Sequence, residues 1–223
     1  GDLLVLTGVA LDFNAGAGAE ISAIVLADAT ITAQRTSNGA GVQIDFGALT
    51  IGSNALMVTN TTSFTSGDTN IRFTGLTTIT GDAVLNVQRT GSASRPVMRH
   101  IGGITDGGVA RTITYNNAGT NTSAVLTSVN RTFTSGTTIE LAGNQVIQLI
   151  HEGVSATDFA TIHFTNTHVD GAIFEVRNNS NATYTNNLIL DANAERHTGR
   201  LGARGVKPPT LGTLTANGSR LHH

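Results

Sequence analysis

Histidines and carboxylates are the residues of this chain whose types and spacing first suggest chemistry. His151-Glu152 has the opening of a zinc-protease motif, in which two His four residues apart on one helix face hold the metal and a Glu between them activates water. Position 155 is Ser, so the second ligand is missing and the motif fails. His163, His168 and Asp170 are closely spaced, with Asp158 upstream, a set suited to a transition metal or an acid–base pair. On a strand, His163 falls on the face opposite Ile162 and Phe164, so the competing reading is a solvated surface position.

The acids are sparse and single: Asp28, Asp45, Asp68, Asp82 and Asp106. A glycoside hydrolase needs two carboxylates about 5–5.5 or about 6.5–9.5 Å apart. Only a fold that stacks distant segments would bring these acids together, and Asp45 with Asp68 is the pair whose spacing invites it. Stacked carboxylates of that kind would bind Ca²⁺. Neither an Asp-x-Asp-x-Asp-Gly loop nor a Gly-Gly-x-Gly-x-Asp repeat is present, and no set of residues qualifies as a catalytic or metal centre. Gly16–Gly18 and Gly102-Gly103 lack the Gly-Lys-Ser/Thr of a phosphate loop.

Composition narrows the classes further. The chain of 223 residues has no Cys and no Trp, 4% aromatics and 13% charged residues. Disulfides, thiolate metal sites and Cys nucleophiles are excluded. Few stackable aromatics and an acidic body argue against nucleic-acid binding. Residues 1–194 carry eight Arg and fourteen acids, and residues 195–223 carry five basic residues and one acid, so a net −6 faces a net +4. No apolar run reaches the ~18–20 residues of a membrane span, so membrane insertion is not expected. Leu3–Leu6 is too short for a signal-peptide core, and the chain is expected to be a mature or excised product. Gly218–His223 look like an appended tail and are set aside. Six Asn-x-Ser/Thr sequons begin at Asn60, Asn121, Asn130, Asn178, Asn181 and Asn217; they permit glycosylation in a host equipped for it.

The elements that must position these residues are short strands. Apolar alternation marks them at Leu3–Leu6, Ile21–Leu26, Ala29–Ala33, Val42–Phe46, Leu49–Ile51, Ala55–Val58, Ile71–Phe73, Thr77–Ile79 and Ala83–Val87. They continue at Arg111–Tyr115, Ala124–Val129, Thr138–Leu141, Val146–Ile150, Thr161–Phe164, Ala172–Val176 and Asn187–Leu190. Gly, Asn and Asp punctuate the joins. The one helical turn suggested is Ser155–Phe159. Phe64-Thr65-Ser66-Gly67 returns as Phe133-Thr134-Ser135-Gly136, 69 residues later, a spacing that fits three coils of about 23 residues. The expected fold is all-β, a right-handed parallel β-helix in which equivalent residues stack about 4.8 Å apart, with Asn178–Asn181 as a candidate amide ladder. The alternative is a β-sandwich or jelly roll.

Residues 124–143, Ala-Val-Leu-Thr-Ser-Val-Asn-Arg-Thr-Phe-Thr-Ser-Gly-Thr-Thr-Ile-Glu-Leu-Ala-Gly, resemble the repeats of bacterial autotransporter-type passenger domains. Asn130, Phe133, Thr134, Gly136, Thr137, Thr138 and Ile139 carry the match. Ser135 stands where Gly is commoner, and Arg131 departs from the pattern. Residues 60–73 are a weaker second match. The resemblance implies a secreted, surface-exposed β-helical adhesin, part of a larger or self-associating protein.

Two parts follow: a β-solenoid body over 1–194 and a basic, extended segment over 195–223. Within the second, Arg196, Arg200, Arg204, Lys207, Leu211 and Leu214 form a candidate assembly segment that caps its own molecule or adds to the next. The function expected is structural or adhesive, at the cell surface or outside the cell, with self-association and a cell-surface glycan as partners. The alternative is a carbohydrate-active enzyme or a phage-type glycan-binding fibre on the same scaffold. No cofactor is expected beyond the Ca²⁺ already considered.

Overall fold

The computed structural model describes residues 3–7, 10–14, 22–90, 93–117, 119, 122–127, 130–152, 158–165, 172–177, 186–191, 200–204 and 214–216. Among them the chain is all-β, without a helix, and winds as a parallel β-solenoid. Three parallel sheets of nine, seven and six strands run its length, with a two-stranded sheet at one corner. One full coil reads Asp68–Phe73 in the seven-stranded sheet, Thr77–Ile79 in the six-stranded sheet, then Ala83–Arg89 in the nine-stranded sheet. The next coil repeats the order with Arg95–His100, Ile104–Thr105 and Thr112–Asn117.

The alternation seen in the sequence sets which side chains point inward. In Gln43–Phe46, Ile44 and Phe46 are buried, while Gln43 and Asp45 face outward. Ile44, Ile71 and Met98 stack in register inside the seven-stranded sheet, as do Leu49 and Thr77 inside the six-stranded one. Each fully buried aliphatic side chain contributes about 1.5–3 kcal/mol. Aromatics are few, but they are stacked: the Phe46 and Phe73 ring centroids are 5.7 Å apart, and His100 extends the column, lying 5.7 Å from Phe73 at 18°.

Coil length is uneven, from 19 residues between Leu3 and Ser22 to 30 between Ala83 and Ile113. The sheets keep register while the corners absorb the difference, which is why no single period stands out in the sequence. The two Phe-Thr-Ser-Gly units therefore do not mark equivalent places. Phe64 opens a short strand between a nine-stranded-sheet strand and a seven-stranded-sheet strand, pairing with Gly39. Phe133 lies between the six- and nine-stranded sheets and bridges to Asp158. Both rings are buried, so the shared tetrapeptide is a local corner solution used at two different corners.

Some strands escaped the sequence reading. Arg95–His100, with two Arg, a Pro and a His, breaks the apolar pattern yet sits in the middle of the seven-stranded sheet. Asp158, expected within a helical turn, instead forms a parallel bridge; residues 155–157 of that turn and the whole expected amide ladder at 178–181 lie outside the described residues.

Candidate functional site

The corners between the six- and nine-stranded sheets hold acids that bind backbone rather than ligand. Asp28 Oδ1 accepts the N–H of Ala55 at 2.7 Å, one coil on, and Asp82 Oδ1 accepts that of Thr112 at 2.8 Å. Asp106 is buried and the most heavily engaged. Its Oδ2 accepts from the Thr134 N–H at 2.6 Å, the Thr134 hydroxyl at 2.8 Å and the Thr137 hydroxyl at 2.6 Å, and its Oδ1 accepts from the Gly108 N–H at 3.0 Å. Burial pushes this carboxyl's pKa up, but the donors from Thr137, Thr134 and Gly108 outweigh it and hold the group below its ordinary value. Thr134 and Thr137, which the sequence singled out as repeat residues, thus clamp Asp106 of the preceding coil. Gly136 between them has φ +100°, a conformation that favours Gly.

Opposite corners use amides. Buried Asn60 donates from Nδ2 to Ser94 O at 3.0 Å, and Asn117 donates to Val146 O at 2.7 Å. Asn60 is 1% exposed, so the sequon that begins there is closed to modification. Asn130 is exposed at its corner.

A charged cluster lies inside the solenoid. Arg131 and Asp158, both sealed from solvent, pair at 2.8 Å through Nε and Oδ2. Asn186 Nδ2 donates to Asp158 Oδ1 at 3.1 Å. His151 Nδ1 lies 3.8 Å from Asp158 Oδ2, and burial, then the Arg131 charge, holds its imidazole neutral, with a pKa well below the ordinary 6.5. His100 is also buried; its Nδ1 meets the Thr77 hydroxyl at 2.9 Å, and burial pushes its pKa down to about 3. Tyr115 stands beside the cluster, 6.5 Å from His100 between ring centroids, with its phenol pKa raised by burial and by the Asp158 charge. His151 and Asp158, considered from the sequence as parts of metal or acid–base sites, are therefore core residues.

The outer faces carry the repeating surface. On the six-stranded sheet, Thr50, Thr78, Thr105 and Thr132 stand in one column, one per coil. Thr112, Thr138 and Thr161 form another on the nine-stranded sheet. The seven-stranded sheet carries the charges. Asp45 does not stack on Asp68: the coil step there is 27 residues, so each faces an Arg. Arg72 grips Asp45 with two bonds of 2.7 Å, and Arg95 grips Asp68 at 3.1 and 2.8 Å. The Arg72 hydrogen bond, ahead of the opposing effect of burial, holds the Asp45 carboxyl below its ordinary value. Arg95 also reaches Gln148 Oε1 at 2.9 Å, two coils on.

His163 is on the outer face of the nine-stranded sheet, as its alternation with Ile162 and Phe164 implied, with its side chain 22% exposed. Its neighbours are Glu140 and Asp191, not Asp158; His168 and Asp170 lie outside the described residues. Among the described residues no group of three or more His, Asp or Glu is placed to hold a metal ion, and no stacked pair of carboxylates suited to Ca²⁺ arises from Asp45 and Asp68. Of the candidate assembly segment, Arg200 and Arg204 are in strand Arg200–Arg204, parallel to Ala172–Arg177, and Leu214 is in Leu214–Ala216, parallel to Leu188–Leu190. Arg196, Lys207 and Leu211 lie outside the described residues. Arg131 is interior, and its departure from the repeat pattern was the one available signal of that. No family model, curated protein or solved structure matches the chain.

Proposed function

We propose that this chain is a structural and adhesive segment of a surface or extracellular β-solenoid. One observation carries the reading: apart from His163, the described groups that the sequence offered for chemistry are spent on holding coil to coil. Asp28, Asp82 and Asp106 bind backbone, Asp45 and Asp68 are paired with Arg, and His151 and Asp158 are in the core. What repeats along the outside is a lattice of Thr hydroxyls and paired charges. The likeness of residues 124–143 to passenger-domain repeats supports the location. Self-association would enter through the terminal strands of the described sheets, where an edge strand can accept a further coil from a second copy. Such a head-to-tail contact propagates into a filament. Residues 195–223 supply basic charge for it against the acidic body. Charge reversal at Arg200, Arg204 and Lys207 tests this, with sedimentation velocity as readout. Weaker association supports the reading, and unchanged assembly sinks the role of the segment.

A glycan-binding role on the same scaffold is favoured by the outer face of the seven-stranded sheet. Its bidentate Asp45–Arg72 and Asp68–Arg95 pairs and the amides of Gln43 and Asn70 present fixed, planar hydrogen-bonding groups at coil spacing. Vicinal sugar hydroxyls match such groups. A glycan array read with the wild type and with Arg72→Ala/Arg95→Ala tests it: binding that is unaffected by the double substitution argues against this face. Turnover of a polysaccharide in a broad panel would favour the enzyme reading.

A further inference from the structure

Among the described residues, the six-stranded sheet ends at Arg131–Thr132. The next coil continues as Ile147–Glu152 in the seven-stranded sheet and Thr161–Phe164 in the nine-stranded one. On its third side that coil meets its predecessor through the isolated bridge of Phe133 with Asp158 and the bond from the Phe159 N–H to Phe133 O at 3.2 Å. The charged cluster fills the interior at this thinner joint. Arg131 comes from one coil, His151 and Asp158 from the next and Asn186 from the one after. The earlier coils are built differently: between residues 44 and 87 no His, Arg, Asp or Glu is buried, and aliphatic and Phe side chains fill the core.

Charge balance makes the joint sensitive to acid. Arg131 and Asp158 sum to zero while His151 is neutral. A proton on His151 leaves a net positive charge sealed in the core. The carboxylate oxygen nearest to it, Asp158 Oδ2 at 3.8 Å, already accepts from Arg131 Nε. The Tyr115 phenol of the nine-stranded sheet feels both charges and stays protonated. Thr127 and Val176, the register neighbours of His151, do not titrate, and His100, two coils earlier in the same column, is buried and neutral.

Opening the coil lets His151 protonate near its ordinary value of about 6.5. The open form then binds a proton that the closed form refuses. The closed form is therefore fully favoured above that pH and loses ground as pH falls below it. Each coil packs only on its neighbours, so a solenoid can open at one level without unwinding throughout.

We propose that the joint between the coil of Arg131 and the coil of His151 is an acid-sensitive opening point: mild acid opens the coils from Ile147 onward while those from Gln43 to Arg89 stay wound. Opening turns Ser123–Thr127 and Thr138–Gly143 into sheet edges, so acid shifts the place where a further coil can add. That consequence rests on the self-associating rod; the opening itself does not.

Native-state hydrogen exchange of the whole chain, read by mass spectrometry at pH 7.5 and 5 and corrected for intrinsic rates, tests the opening. Protection of Ile147–Glu152, Thr161–Phe164 and Leu188–Leu190 should fall about 30-fold between the two, the effect of one proton taken up below about pH 6.5. Asp68–Phe73 and Ala83–Arg89 should keep theirs. His151→Gln, polar but not titrating, should abolish the 30-fold change. Loss spread evenly over all strands, no loss, or a His151→Gln chain that keeps the change overturns the proposal. NMR of the assigned His151 ring in the wild type decides the matter if that variant does not fold. The ring should stay neutral at pH 5 in the closed form, and a ring that titrates near 6.5 with its coil still protected overturns the proposal as well.

Discussion

Arg131 and Asp158, one coil apart, pair at 2.8 Å with both side chains sealed inside the solenoid. Both charges are out of contact with solvent, and each balances the other. Removing one partner leaves a buried charge uncompensated. Asp158→Ala is expected to cost about 3–5 kcal/mol, measured by urea denaturation. Arg131→Met/Asp158→Leu removes both charges and is expected to recover most of that loss. A double variant as unstable as the single would show that the pair contributes more than mutual neutralisation.

Acid should loosen the fold well before the carboxylates titrate. In the unfolded chain His100 and His151 protonate near 6.5; in the folded chain burial delays this, to about 3 for His100. Above pH 6.5 both states are neutral and stability is complete. As pH falls below that value the unfolded chain takes up protons that the folded chain refuses, so stability drops. Asp106, held below its ordinary value, adds a loss of the same sign at lower pH. Urea midpoints at pH 7.5, 6 and 5 should fall in that order. His100→Phe, which continues the Phe46–Phe73 column, should remove about one proton from the slope. An unchanged slope would contradict the burial of a neutral His100.

The two kinds of Asp should differ sharply. Asp106→Ala abandons four donors at a buried corner, each charge-assisted bond being worth about 1.5–3 kcal/mol, and is expected to destabilise by at least about 3 kcal/mol. Asp45→Ala breaks a part-exposed pair on the outer face and should cost no more than about 1 kcal/mol. Equal effects on the denaturation midpoint would refute the division between corner clamps and surface ladders.

Glycine at the corner between the seven- and six-stranded sheets is a packing requirement. A Cβ on Gly102 would strike the backbone of Gly75, one coil earlier, whereas a Cβ on Gly52 would meet only Thr80 Oγ1 at 3.7 Å and Asn54 Nδ2 at 3.8 Å. Gly102→Ala is expected to lose about 1–3 kcal/mol, and Gly52→Ala to stay within about 0.5 kcal/mol. Thermal melts compare the two directly.

Much of this architecture was legible in the chain because a solenoid repeats one local problem. Val42–Phe46, Thr77–Ile79 and Thr161–Phe164 showed their inner faces through simple alternation, and the polar corners showed the ends of strands. Arg95–His100 was hidden because its inward His100 is held by stacking on Phe73 and a bond to Thr77, partners that only coil stacking supplies. The roles of the acids were hidden for the same reason: Asp45 meets Arg72 and Asp106 meets Thr134 across coil steps of 27 and 28 residues, and corner insertions make those steps unequal. The face of His163 followed from alternation, but Asp191, which comes from the next coil, did not.

Particle shape and assembly test the central claim most directly. Negative-stain imaging of the purified chain across a concentration series, with sedimentation velocity on the same samples, should show narrow rods that lengthen by end-to-end contact as concentration rises. Compact single particles whose size and sedimentation do not change with concentration would contradict a self-associating structural rod.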